Sequence, residues 1–258
     1  MLYDCFLFSG LGAEQVLLDI RLRELHDVVE HFVLVEATKT FTGQSKPIYM
    51  GDHHKAVRNL RYVVVNDMPE TQNPWEREAF QRNAILRGLT DAKDDDLALM
   101  SDVDEIPRAE TLPRILAHGT LLAFEQEFFY YNFNTRARGK WLGTRMCSVG
   151  DLRRWSPQEA RRRFTDKVAR GGWHLTWFGS DEDTATKIRS FSHQEYNKPE
   201  FTDLEQISAR RQKGADLFDR PVMQFERVNG NLSHLPQCVQ LHPDWYQQFF
   251  ATQAEGVP

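Results

Sequence analysis

The sequence predicts an α/β fold, a mixed central sheet flanked by helices, and three observations carry that expectation. Apolar, strand-like runs alternate with helical periodicity over about the first 107 residues. One such run, Leu97-Ala98-Leu99-Met100-Ser101, ends abruptly in Asp102-Val103-Asp104-Glu105 followed by Ile106-Pro107. Beyond it, Leu121 to Phe133 is aromatic-rich and β-prone, and no Pro-, Gly- or Ser-rich linker separates the two halves.

Met1 to Phe8 lacks the basic n-region and cleavage pattern of a signal peptide and is expected to form the first strand. From Gln15 to Val29 the spacing of Leu18, Leu22, Leu25 and Val29 predicts a helix, with Arg21 and Glu24 on its wet side. His31–Ala37 and Arg61–Asp67 are β-branched apolar runs suited to buried parallel strands. Asn73-Pro74-Trp75-Glu76 is a helix start, with Asn as cap and Pro in the first turn, for a helix from Pro74 to about Leu89. The Leu97 strand follows an acidic turn at Asp91 to Asp96. A Gly/Trp/His segment spans Gly171 to Gly179, and Thr202-Asp203-Leu204-Glu205 is expected to cap a helix through about Lys213.

Strand, helix, strand, strand, helix, strand is the order of a Rossmann-like nucleotide-binding half. One domain over residues 1–258 is expected, with a nucleotide half at about 1–107, an acceptor half at about 108–245 and a peripheral tail at 246–258. No Gly-rich phosphate loop appears, so phosphates must be met by metal and side chains.

At 258 residues and 41% apolar, the chain can bury a sizeable core. No segment approaches the roughly 20 apolar residues that cross a bilayer. A soluble cytoplasmic chain or an excised catalytic domain is expected. The net charge of −5 argues against a nucleic-acid partner. The basic run from Arg153 to Arg163 is either a solvated helix face or a surface for peripheral contact with anionic lipid. Three cysteines, Cys5, Cys147 and Cys238, are too few and too scattered for a disulfide framework or zinc site.

Asp102 and Asp104, two apart on extended backbone, would project the same way from the carboxyl end of a strand. Two such carboxylates suit Mn²⁺ or Mg²⁺ shared with a diphosphate, in the place where open α/β sheets bind ligands. Glu36 and Asp67 end neighbouring strands, where either can accept a hydrogen bond from a base or ribose or serve as a cap. Arg82 is placed to neutralise a phosphate or to pair with Glu78, and Asn83 to bond a sugar or phosphate oxygen. His174 and His193 are candidates to join the metal. Trp173 and Trp177 can pack as a core pair or face a pyranose ring.

Several strings resemble one family: Asp4-Cys5-Phe6, Asp19 to Leu25, Val33-Leu34-Val35-Glu36, Phe41-Thr42-Gly43, Lys46-Pro47, Ser101 to Pro107, and Gly172 to Phe178. It is glycosyltransferase family 17, and the likeness runs to about Phe218 but thins between Asn134 and Arg170. The resemblance implies a GT-A fold, a UDP-sugar donor with GlcNAc the expected sugar, a divalent cation, and transfer with inversion. It makes Asp102 and Asp104 the metal–diphosphate motif. The acceptor is left open among glycans, polysaccharides and glycolipids. Inversion needs a base for the acceptor hydroxyl; Glu182 and Asp183, then Glu195, are the candidates. Two rivals stand beside this: a sugar-nucleotide nucleotidyltransferase, which should carry a basic residue in the Ser9 to Ala13 loop and does not, and a silent carbohydrate-binding protein.

Overall fold

The computed structural model describes residues 1–112, 121–228 and 232–250. Its first strand, β1 (Leu2–Phe8), is buried along its whole length. Alternation explains how: Tyr3, Cys5 and Leu7 enter one apolar cluster, and Leu2, Phe6 and Phe8 enter another on the opposite face. β2 (His31–Ala37) divides in the same way, Val33 and Val35 to the first cluster and Phe32 and Leu34 to the second. Strands covered on both faces read as continuous apolar runs, which is why they stand out in the sequence.

β3 (Leu60–Val65), β2, β1 and β4 (Leu97–Asp102) lie parallel in that order. The sheet continues through β7 (Thr135–Ser148), β6 (Leu122–Tyr130), β8 (Asp166–Thr176) and β5 (Glu105–Pro107), with β9 (Phe225–Arg227) on β7. Four of these junctions, β4–β7, β7–β6, β8–β5 and β7–β9, are antiparallel, and β6–β8 is parallel. The expected mixed α/β sheet is therefore present.

Several local expectations are corrected. α1 spans Glu14–Leu25, and Arg21 and Glu24 are buried rather than wet, at 0% and 8% exposure. Helix spacing puts them beside the apolar stripe: Arg21 turns onto β1 and the end of β4, and a later segment of the chain covers Glu24. Cys238, Val239, Tyr246 and Phe249 join Leu17 and Ile20 in one cluster, and Glu24 accepts from the Gln237 amide at 2.9 Å. The same packing corrects the expected tail, because Tyr246 and Phe249 are buried; residues 251–258 of it lie outside the described residues. α2 is Pro74–Asn83, capped by Asn73, and passes into a 3-10 turn at Ala84–Gly88. The helix Leu204–Lys213 is capped by Asp203, whose side chain accepts from the Gln206 amide, and Thr202 instead ends the preceding short helix.

The acidic string is not one extended strand either. β4 stops at Asp102, Val103 and Asp104 form a turn, and Glu105 opens β5. Pro107 lies within β5, at the sheet's edge, where a missing N–H is tolerated. All three cysteines are buried and free. Among the described residues no helix is long and apolar enough to cross a membrane.

Candidate active site

A cavity of about 430 Å³ opens at the carboxyl ends of β1 and β4. The Asp102–Glu105 turn forms its floor, and a buried guanidinium holds that turn. Arg21 grips Asp4 with two bonds of 2.7 and 2.6 Å, then donates to Ser101 Oγ and to the carbonyls of Asp102 and Glu105. The turn's backbone oxygens are thereby satisfied from beneath, leaving the carboxylates to face the cavity.

Asp102 meets two arginines. Arg82 Nη1 donates to it at 2.8 Å, and Arg161 lies 3.8 Å away. Desolvation opposes its ionisation, but the two guanidiniums outweigh that and hold the carboxyl well below the usual range. Arg82 also donates to Glu78 at 2.6 Å and to Gln158 at 2.9 Å. Arg161 is clamped on Glu105, which in turn accepts from the indole N–H of Trp141 at 2.6 Å.

Asp104 accepts from Lys187 at 2.9 Å, and its other oxygen lies 3.8 Å from His174 Nε2. His174 packs against Phe128 and Trp141, with ring centroids 4.9 and 4.5 Å away. Burial lowers its pKa, so the imidazole is neutral at pH 7, and its Nδ1 is buried with no partner. Among the described residues no three His, Cys, Asp or Glu side chains are gathered to hold a metal. Asp104 Oδ1 and His174 Nε2 are the side-chain atoms of the cavity that could take a divalent ion, which would complete its shell with phosphate oxygens and water.

Glu14, at the start of α1, also lines the cavity. Its Oε2 accepts from Ser9 N at 2.7 Å, Ser9 Oγ at 2.8 Å and Gly10 N at 3.2 Å. Burial raises its pKa, with the Lys187 charge pulling the other way.

Of the residues expected from sequence, Asp102, Asp104, Arg82 and His174 meet in this cavity, and His193 stands at its rim, paired with Glu195 and edge-on to Trp75. The other carboxylates and Asn83 do not line it. Glu36 is buried and spent on the Tyr49 and Met50 amides, the Tyr62 hydroxyl and Lys46. Asp67 is paired with Arg87 on the surface. Asn83 accepts from the Gln158 amide and ties two helices together. Asp183 reciprocates with Ser180 in a capping box, Glu182 is exposed on the same first turn, and Glu195 is exposed. These carboxylates follow a helix-start pattern, and capping is the use the fold makes of it. Trp177 lines the cavity, whereas Trp173 is core, its N–H bonded to the His234 carbonyl. The basic run is no uniform solvated face, since Arg153 holds Asp94 and Arg161 turns into the cavity.

Glu14, Glu78, Arg161, Lys187 and Trp141 were not expected. Glu78 and Arg161 carried a signal, the first as an i,i+4 partner of Arg82 and the second within the basic run. Lys187 and Trp141 carried none, because only the approach of β7 and the helix Asp181–Ser190 brings them to Asp104 and His174.

Comparison with known proteins agrees with the resemblance. Over 110 residues the chain is 29% identical to the β-1,4-mannosyl-glycoprotein 4-β-N-acetylglucosaminyltransferase of Rattus norvegicus, covering 38% of this chain and 20% of that one. The Homo sapiens enzyme of the same name is 29% identical over 103 residues. The chain thus spans about a fifth of the length of these relatives. Among solved structures, Staphylococcus aureus TarS 1-349 is similar at 14% identity and a TM-score of 0.39, over 96% of this chain and 80% of that one. The galactosyltransferase LgtC is similar at 13% identity and 0.36, over 98% of each chain. The description of one family model, matched from residue 1 to residue 241, covers β1, the Asp102–Glu105 turn and the His174 strand alike: the chain belongs to glycosyltransferase family 17.

Proposed function

We propose that this chain is an inverting glycosyltransferase of GT-A type that moves a sugar, GlcNAc, from a UDP donor to a hydroxyl of a glycan, polysaccharide or glycolipid. One observation carries the proposal: two carboxylates at a held turn pair with Arg82, Arg161 and Lys187 in the wall of a cavity at the strand ends. Such mixed charge suits a diphosphate and its counter-ion, which need anionic and cationic partners together.

Asp102, Asp104 and His174 would hold Mn²⁺ or Mg²⁺ with the diphosphate. The cation supplies charge neutralisation for the departing UDP. Arg82 and Arg161 stabilise the same developing charge from fixed positions. Trp141, 36% exposed and anchored through its N–H, offers a flat face to a pyranose ring. Glu14 replaces Glu182, Asp183 and Glu195 as the base for the acceptor hydroxyl. It lines the cavity, burial raises its proton affinity, and its bonds to Ser9 and Gly10 fall on one oxygen.

The test is UDP titration into Asp104→Ala with and without Mn²⁺. The variant is expected to keep its fold by circular dichroism and to lose metal-dependent UDP affinity by more than about tenfold, roughly 1.4 kcal/mol. Unchanged metal-dependent binding would refute the assignment of Asp104.

A further inference from the structure

Three cations face Asp102 and Asp104, and they are held in different ways. Arg82 has a side chain only 3% exposed and divides its donors among Glu78, Asp102 and Gln158. Arg161 is fixed by Glu105 and by the Gly143 carbonyl at 2.9 Å. Lys187 rises from the C-terminal half of the helix Asp181–Ser190 with its side chain 31% exposed, and Nζ donates to Asp104 Oδ2. Glu14 and Asp102 face the same ammonium at longer range from α1 and β4, and the Trp177 ring lies 5.4 Å from it. A guanidinium wedged between several acceptors cannot leave them cheaply. An ammonium on a flexible four-carbon stem can change partner within one cavity.

Asp104 cannot neutralise Lys187 and a divalent cation equally well. A cation between Asp104 Oδ1 and His174 Nε2 would stand within a few ångströms of the ammonium, close enough for the two positive charges to repel. An entering diphosphate brings new negative oxygens to the same place.

We infer that Lys187 is an exchangeable counter-ion: it neutralises Asp104 in the donor-free protein and moves to the diphosphate oxygens when donor and divalent cation enter together. The inference deepens the proposed function and rests on it. It makes metal binding weak without nucleotide and couples the two ligands reciprocally.

The experiment titrates Mn²⁺, read as the free-ion paramagnetic resonance signal, into wild type and Lys187→Met without nucleotide. UDP is then titrated calorimetrically at saturating Mn²⁺. Lys187→Met should bind Mn²⁺ alone at least about fivefold tighter and UDP at least about fivefold more weakly, the lower end of ordinary coupling between sites. Lys187→Arg, which keeps the charge, should retain the wild-type order of affinities. If Lys187→Met lowers the melting temperature, Lys187→Gln is read by the same criteria. Mn²⁺ affinity that is unchanged or weaker in a folded, uncharged variant overturns the inference while leaving the proposed function standing. Failure of wild type to bind UDP at any Mn²⁺ concentration overturns the functional reading itself.

Discussion

At the start of α1, the Glu14 carboxylate accepts from the Ser9 and Gly10 amides while the body of the protein desolvates it. Its folded pKa is raised, so the native state keeps this proton at pH values where the unfolded chain has released it. The resulting stability is fully present below the unfolded pKa, about 4.3, and is lost as pH rises through the folded value. Glu14→Gln, with no charge to desolvate, should flatten that part of the stability–pH curve in urea unfolding at several pH values. A slope equal to wild type would show that Glu14 titrates normally. In the transfer assay the same variant should lose about 10²- to 10⁴-fold in rate, the usual worth of a general base, while keeping UDP affinity. Transfer at the wild-type rate would remove Glu14 from the mechanism. The residue was invisible as a base in the sequence because an acidic first-turn residue is ordinary at any helix start.

Among the elements, β5 matters out of proportion to its three residues, since it fixes Glu105 opposite His174 in the β5–β8 ladder. That ladder depends on Gly172, which sits at φ +133° opposite Pro107. A Cβ there would lie 2.0 Å from the Ile106 carbonyl oxygen and 2.8 Å from the Arg108 amide nitrogen, both backbone atoms that cannot turn aside. Gly172→Ala is expected to destabilise the protein by about 1–3 kcal/mol from backbone strain alone. Weakened UDP binding should accompany it, because His174 would shift with β8. A melting temperature within error of wild type would contradict this account. The strands buried on both faces were legible as apolar runs. β5 was not, because three residues carry no period and its partner lies more than sixty residues away.

The whole molecule turns on the Asp4–Arg21 pair, in which both side chains are fully buried. Arg21 joins β1, α1, the end of β4 and the start of β5 through one guanidinium, with the Phe6 ring 4.4 Å from it. Arg21→Ala would leave Asp4 charged and unpaired in the core and the turn's carbonyls without donors. It should cost about 3–5 kcal/mol in urea unfolding, the range for breaking a buried pair. A loss below about 1 kcal/mol, the median worth of an exposed pair, would show that the turn is held by other means. Replacing Asp4 and Arg21 together should recover part of the loss but not UDP binding, because packing can substitute for the charges whereas the turn's anchor is gone.

By itself the sequence determined the parallel half of the sheet, the helix that Asn73 caps and the acidic string that marks the strand end, because each rests on local periodicity or a short-range hydrogen bond. Only the tertiary structure decided which charges meet. Arg21 is internal because α1 packs it onto β1 and the turn between β4 and β5, and Asp183 is a cap because Ser180 is within its reach. Asp104 has Lys187 as its partner because a helix some eighty residues later closes over the turn. Electrostatic pairing falls off with distance in space and is blind to distance along the chain, so those contacts exist only once the sheet has brought its two halves together.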